Sequence, residues 1–133
     1  MHIIVCLDNR NGMGFNHRRQ SQDKALREHI FAAVKGSKLW MNGYSARQFV
    51  DCSGDICVEE NFLELAKPGE YCFVENCDIL PVIDRIESYI VYRWNREYPA
   101  DVYFPQQLLA GNCTREDFSG NSHKILTKEV YSL

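Results

Sequence analysis

Three stretches carry the residues whose types and spacing could do chemistry. The first runs Asn9-Arg10-Asn11-Gly12-Met13-Gly14-Phe15-Asn16-His17-Arg18-Arg19-Gln20-Ser21. Its two glycines let backbone approach a ligand, and a helix starting just beyond would offer unpaired N–H groups and partial positive charge to an anion. His17, Arg18 and Arg19 would add side-chain charge. The stretch matches neither the dinucleotide glycine pattern nor a phosphate loop ending Gly-Lys-Ser/Thr, and a solvated basic turn is the competing reading. The second stretch holds Asn42, Gly43 and Ser45. The third is Glu75, at the carboxyl end of an apolar segment and so expected to point into a cleft. The other carboxylates, Glu59, Glu60, Glu64, Asp78 and Asp84, read as solubilising or capping groups. None of His2, His17, His29 and His123 sits in a recognised serine or cysteine nucleophile motif, and His29 falls on an apolar helical face, so no catalytic residue is assigned.

The elements that must position these residues follow from hydrophobic periodicity. His2 to Leu7 is short, β-branched and almost wholly apolar, which predicts a central strand covered on both faces. A polar loop from Asp8 to Gln20 leads to a helix capped by Ser21, in which Ala25, Leu26, His29, Ile30, Ala33 and Val34 recur at helical spacing before Gly36. Further strands are predicted at Lys38 to Met41, Ile56 to Val58, and Tyr71 to Val74. Between them come a helical turn at Ser45 to Phe49 and a short helix from Asn61 to Ala66, ended by Pro68-Gly69. A helix capped by Asp78 and reaching Ile86 tolerates Pro81 in its first turn. Strands alone follow, at Ser88 to Arg96, Asp101 to Phe104 and Lys124 to Tyr131. Alternating strands and helices followed by strands predict an α/β fold: a mostly parallel twisted sheet, helices on both faces and an antiparallel C-terminal strand. Such sheets bind ligands at the carboxyl ends of their strands.

The 133 residues, 45% hydrophobic and 12% aromatic, suffice for one domain with a real core, and no repeat or linker divides residues 1–133. Lys+Arg of 15 against Asp+Glu of 18 leave a net charge of −3, so nucleic acid is not an expected partner. No apolar run approaches the roughly 18 to 20 residues a membrane span needs, and Met1-His2-Ile3 lacks the basic flank of a signal peptide, so a cytoplasmic protein with no membrane contact is expected. The pairs Cys52/Cys57 and Cys72/Cys77 loosely match zinc-ribbon spacing. Cys57 and Cys72, however, fall within predicted strands, as does Cys6, so reduced, buried thiols and no metal are the reading.

In order and spacing the chain resembles the dihydrofolate reductase family over nearly its full length. The start is similar to the family's first strand and mobile loop, with Met13-Gly14 at the loop's Ile-Gly. Lys38-Leu39-Trp40-Met41-Asn42-Gly43-Tyr44-Ser45 resembles the second strand and the turn beyond it. Ser88 to Pro105, ending Ala100-Asp101-Val102-Tyr103-Phe104-Pro105, resembles the stretch that ends Gly-Asp-x-x-Phe-Pro, and His123 to Tyr131 resembles the last strand. The resemblance implies that the family's proton-donating carboxylic acid falls at Leu26, where Asp23 and Glu28 occupy other faces of the helix. Ser21 stands where the family has a tryptophan. Asn42-Gly43 and Glu75-Asn76 replace the Gly-Arg and paired glycines on which NADPH binding leans, and the chain between Phe49 and Ile56 is shortened where the family grips the adenine phosphate and folate's glutamate.

The resemblance therefore names NADPH as a cofactor whose binding motifs are eroded, and conventional folate reduction is not expected. The favoured function is binding of a small or anionic ligand in the cleft, with Met13, Gly14, His17, Arg18, Arg19, Leu26, Asn42, Gly43, Ser45 and Glu75 about it. The fold should survive removal of Arg18 and Arg19 together. Two alternatives remain: an NADPH-dependent oxidoreductase of altered substrate, and a non-catalytic protein-interaction module. For the module, Tyr89, Tyr92, Trp94, Tyr98 and Tyr103 would serve either a protein partner or a homodimer, although core packing explains them equally well.

Overall fold

A computed structural model describes residues 1–51 and 54–133. The elements run β1 (His2–Leu7), β2 (Gly12–Phe15), β3 (Arg18–Arg19), α1 (Lys24–Ala33), β4 (Leu39–Met41), α2 (Gly43–Ala46), β5 (Cys57–Val58), α3 (Phe62–Leu65), β6 (Tyr71–Phe73), β7 (Ser88–Arg93), β8 (Val102–Tyr103), β9 (Thr114–Ser119) and β10 (Ile125–Ser132). Single 3-10 stretches lie at Arg47–Phe49, Leu80–Arg85 and Gln106–Leu108. Seven strands form one sheet in the order β5-β4-β6-β1-β7-β10-β9. The first five are parallel, whereas β10 runs antiparallel to β7 and β9 antiparallel to β10.

Period-two alternation explains why both faces of this sheet are dry. Ile3, Val5 and Leu7 of β1 join Cys72, Tyr89 and Val91 in one core, and α3 and the 80–85 stretch cover it through Phe62 and Val82. Ile4 joins Phe73, Ile90 and Tyr92 on the opposite face, beneath Leu26 and Ile30 of α1. Helical segments thus lie on both faces, as the strand–helix alternation predicts.

Several local expectations are corrected. Asp23, not Ser21, caps α1: its Oδ1 accepts the N–H groups of Ala25 and Leu26 at 2.8 and 3.2 Å. An ionised carboxylate is the stronger acceptor for these orphan donors. The segment after Asp78 is a 3-10 stretch rather than an α-helix, with Pro81 in its first turn and the Leu80 N–H donated to Asp78 Oδ1 at 3.0 Å. The polar stretch from Asp8 to Gln20 is not an open loop. Its β2 and β3 form a hairpin, and β8 pairs with β2 to complete a separate small sheet. Asn16 and His17 make the turn at φ 51° and 61°, the left-handed pair that a tight hairpin needs. A Cβ on Gly14 would come within 2.9 Å of the Arg18 carbonyl oxygen, so the hairpin's close backbone approach requires glycine there.

Tyr89, Tyr92 and Trp94 are buried in the two cores and Tyr98 is half-buried, which leaves Tyr103 as the exposed member of the aromatic set. His29 donates or accepts at the Tyr92 hydroxyl, 2.9 Å away, and stacks on Phe118, as a satisfied rim residue does. Cys6, Cys57, Cys72, Cys77 and Cys113 are free thiols. Cys72 is buried and Cys6 and Cys57 are half-buried, while Cys52 lies outside the described residues. Among the described residues no group of three or more potential ligands could hold a metal ion, and no helix is long and apolar enough to cross a membrane.

Leu26 is 2% exposed and packs in the core beneath α1. Replacing it with alanine is expected to cost about 3 kcal/mol of unfolding free energy in urea titration, the range for a buried leucine that leaves a cavity. A loss under about 1 kcal/mol would mean that the site collapses freely.

Candidate functional site

A cleft of about 620 Å³ opens beyond the carboxyl end of β6. The β2–β3 hairpin forms one wall through Met13, Gly14, Phe15, His17 and Arg18, the Val74–Leu80 stretch forms the second, and Asp101 to Pro105 the third. Phe15, Leu80, Val102 and Tyr103 are exposed apolar groups at its mouth.

An ion pair forms the floor. Arg19 donates from Nε to Glu75 Oε2 at 3.0 Å and from Nη2 to Glu75 Oε1 at 3.2 Å, a two-point contact that fixes both side chains. Nη2 also donates to the Tyr44 carbonyl at 3.2 Å, and the guanidinium lies 4.5 Å from the Tyr44 ring centroid. Ser45 Oγ donates to Glu75 Oε1 at 2.8 Å. The side chains are 21% and 9% exposed, so the pair is largely shielded from screening. Burial alone would lower the Arg19 pKa, but hydrogen bonds and charge from Glu75 outweigh it and raise it. Beneath the pair, burial and then the Glu75 charge push the Cys6 thiol well above its ordinary value, which makes it a poor nucleophile.

Of the residues singled out from sequence, Met13, Gly14, His17, Arg18, Arg19 and Glu75 line the cleft together. Asn42, Gly43 and Ser45 stand behind its floor instead. Asn42 caps α2 by accepting the Ser45 N–H at 3.0 Å and donates to Asn76 Oδ1 at 2.8 Å. Gly43 N–H donates to Glu60 Oε2 at 2.9 Å. Leu26 belongs to the core rather than the cleft wall. Tyr44, Asp78, Leu80 and Asp101 line the cleft without having been legible as site residues. Tyr44 follows the predicted strand that ends at Met41, Asp78 follows the one that ends at Val74, and Asp101 begins another.

The donor set does not fit a dinucleotide diphosphate. Glu75, Asp78 and Asp101 all face the cleft, and Glu75 already engages Arg19. Asp101 accepts the Asn16 N–H at 3.0 Å. Arg18 is the guanidinium of the lining that forms no ion pair among the described residues. Carboxylates at the points of phosphate approach set like charge against like.

A second polar centre lies at the start of α1. Besides capping the helix, Asp23 accepts through Oδ2 the N–H groups of Asn121, Ser122 and His123 at 2.9, 2.9 and 3.0 Å. Burial would raise its pKa, but the donors from Asn121, His123 and Leu26 overcome that and hold it well below the usual carboxylate range.

No family model matches the sequence, and no curated protein matches it either. Among solved structures the chain is similar to dihydrofolate reductase from Enterococcus faecalis, determined in complex with NADP(H) and RAB-propyl. The identity is 8%, the match covers 98% of this chain and 94% of that one, and the TM-score is 0.64. The fold is therefore dihydrofolate reductase-like.

Arg19→Ala leaves Glu75 shielded and uncompensated, so, against the expectation from sequence that the fold ignores its loss, it should cost about 2 to 3 kcal/mol in urea titration. Arg19→Met combined with Glu75→Gln should recover at least half of that, and an equal or larger loss in the pair would remove the coupling. For Asp23, a folded pKa below the unfolded one means stability that is present above about pH 4 and is lost as pH falls toward the folded value. Asp23→Asn should cost about 2 kcal/mol at neutral pH and flatten the decline in stability below about pH 4. Parallel acid limbs in the two proteins would contradict this.

Proposed function

We propose that residues 1–133 act as a single small-molecule-binding domain that does not reduce dihydrofolate, and whose ligand has an apolar or aromatic body and one acidic group. The observation that carries this reading is the cleft itself. Its volume falls within the few hundred to a thousand Å³ typical of ligand pockets, and apolar side chains surround a small polar set. Phe15, Leu80, Val102 and Tyr103 offer the apolar contact, and Arg18 offers a free guanidinium for one carboxylate or phosphate. The neutralised Arg19–Glu75 floor supports a singly charged ligand over a polyphosphate.

Loss of folate reduction is supported by Leu26. Where the resemblance puts a proton donor stands a hydrocarbon that exchanges no proton and is packed in the core. Free thiols at the described cysteines fit a reducing compartment such as the cytoplasm. A protein-interaction module is the second reading, favoured by the same four exposed apolar side chains at the cleft mouth.

Thermal-shift titration with aryl carboxylates, aryl phosphates, inorganic phosphate and folates separates these. Stabilisation should rise as RT ln(1+[L]/Kd) for the aryl anions, and Arg18→Ala should weaken it about tenfold without moving the transition of the free protein. An unchanged response in Arg18→Ala would take that residue out of the site. Silence throughout, with light scattering showing a dimer, would favour the interaction module.

A further inference from the structure

Three charged side chains of the cleft lining have no ionic partner. Arg19 and Glu75 neutralise one another at the floor, whereas Arg18, Asp78 and Asp101 form no ion pair among the described residues. The hairpin wall therefore keeps a positive charge, and each of the other two walls keeps a negative one. A ligand with a single acidic group answers Arg18 alone. Its apolar body would then cover two carboxylates and take them from water without a counter-charge, which opposes binding.

The small sheet sets the spacing of these charges. Its order β3-β2-β8 puts β2 between Arg18 and Asp101. On one side Phe15 pairs with Arg18. On the other, Gly14 pairs with Val102 and its carbonyl accepts the Asp101 N–H at 3.0 Å, so Asp101 falls beside Phe15. Neighbouring strands lie about 4.8 Å apart, which separates the backbones of Arg18 and Asp101 by about 10 Å. Phe15, 47% exposed, sits on the strand between them. Both carboxylates are oriented by backbone: Asp101 Oδ2 accepts the Asn16 N–H at 3.0 Å, and Asp78 Oδ1 accepts the Leu80 N–H at 3.0 Å. A carboxylate accepts about four hydrogen bonds, so each keeps capacity for a further donor.

We propose that the ligand of this cleft is a zwitterion whose charges lie at opposite ends of an aromatic body, a carboxylate held by Arg18 and an ammonium held by Asp101 and faced by Asp78. The aromatic body rests on Phe15. Ion pairs open to solvent are worth little because water screens them. Here the ligand's own ring excludes that water, and Phe15, Val102 and Tyr103 add hydrocarbon around the pairs, so each attraction strengthens on binding. An ammonium offers three donors and no acceptor, which suits carboxylates already oriented from behind. An α-amino acid, with both charges on one carbon, does not span from Arg18 to Asp101. The inference rests on the ligand-binding reading and adds a second, opposite charge to it.

Calorimetric titration at neutral pH with three compounds of one body tests it: p-aminomethylbenzoate, p-methylbenzoate, which lacks the ammonium, and benzylamine, which lacks the carboxylate. The first should bind at least tenfold more tightly than either of the others. Asp101→Asn keeps an oxygen for the Asn16 N–H and should keep the thermal transition. It should weaken p-aminomethylbenzoate at least fivefold and leave p-methylbenzoate bound as tightly as before or more so. Arg18→Ala should weaken both carboxylates and leave benzylamine unchanged. Equal affinity of the wild type for p-methylbenzoate and p-aminomethylbenzoate, or an affinity for the latter that Asp101→Asn does not move, would overturn the zwitterion and leave the cleft a binder of simple anions. Silence from all three compounds would remove the ligand-binding reading along with it.

Discussion

The cleft exists in its present form because Arg19 and Glu75 meet across it. Arg19 ends the β2–β3 hairpin and Glu75 follows β6, so the two-point contact between them ties a small peripheral sheet to the carboxyl edge of the main one. Each charge would be costly where it lies without the other, and Ser45 and the Tyr44 carbonyl satisfy their remaining hydrogen-bonding capacity. The floor is therefore close to neutral, the hairpin is held in one position, and among the described residues Arg18 is the guanidinium on that wall that forms no ion pair.

Two further polar centres repeat this arrangement elsewhere. Glu129 bridges Arg93 at 3.0 Å and Arg115 at 3.2 Å, while Arg93 also donates to the Asp8 carbonyl and to Asn11 Oδ1, so the start of the first loop is fastened to the β7–β10 pair. Asp23 fastens α1 to the turn before β10. In each case an ionised group buried among N–H donors brings together segments far apart in the chain, which apolar packing alone would not align with such directionality. The donors that hold Asp23 also place its Oδ2 3.2 Å from His123 Nδ1, so the turn before β10 is tied to α1 through a buried imidazole as well.

What could be read from sequence follows the physics of burial. β1, β4, β6 and β7 were legible because strands covered on both faces are nearly continuous apolar runs, and α1 because its apolar stripe recurs at helical spacing. β9, with Arg115, Glu116 and Asp117 on an edge of the sheet, carries no such pattern, because an edge strand is protected by charge instead of burial. The hairpin was hidden because its turn is Asn16-His17 rather than the glycine-bearing pair that marks most two-residue loops. Glu75 was legible from its place at a strand end, yet its partner was not, since 56 residues separate it from Arg19. His123 lies 102 residues from Ser21, and only the folded sheet brings them together.

An internal ion pair occupies the floor where the resemblance would seat a dinucleotide's phosphates. Calorimetric titration of NADPH into the wild-type protein measures whether that floor still accepts a dinucleotide. No binding heat is expected at ligand concentrations up to about 1 mM, whereas a dissociation constant of about 10 μM or tighter would contradict the account.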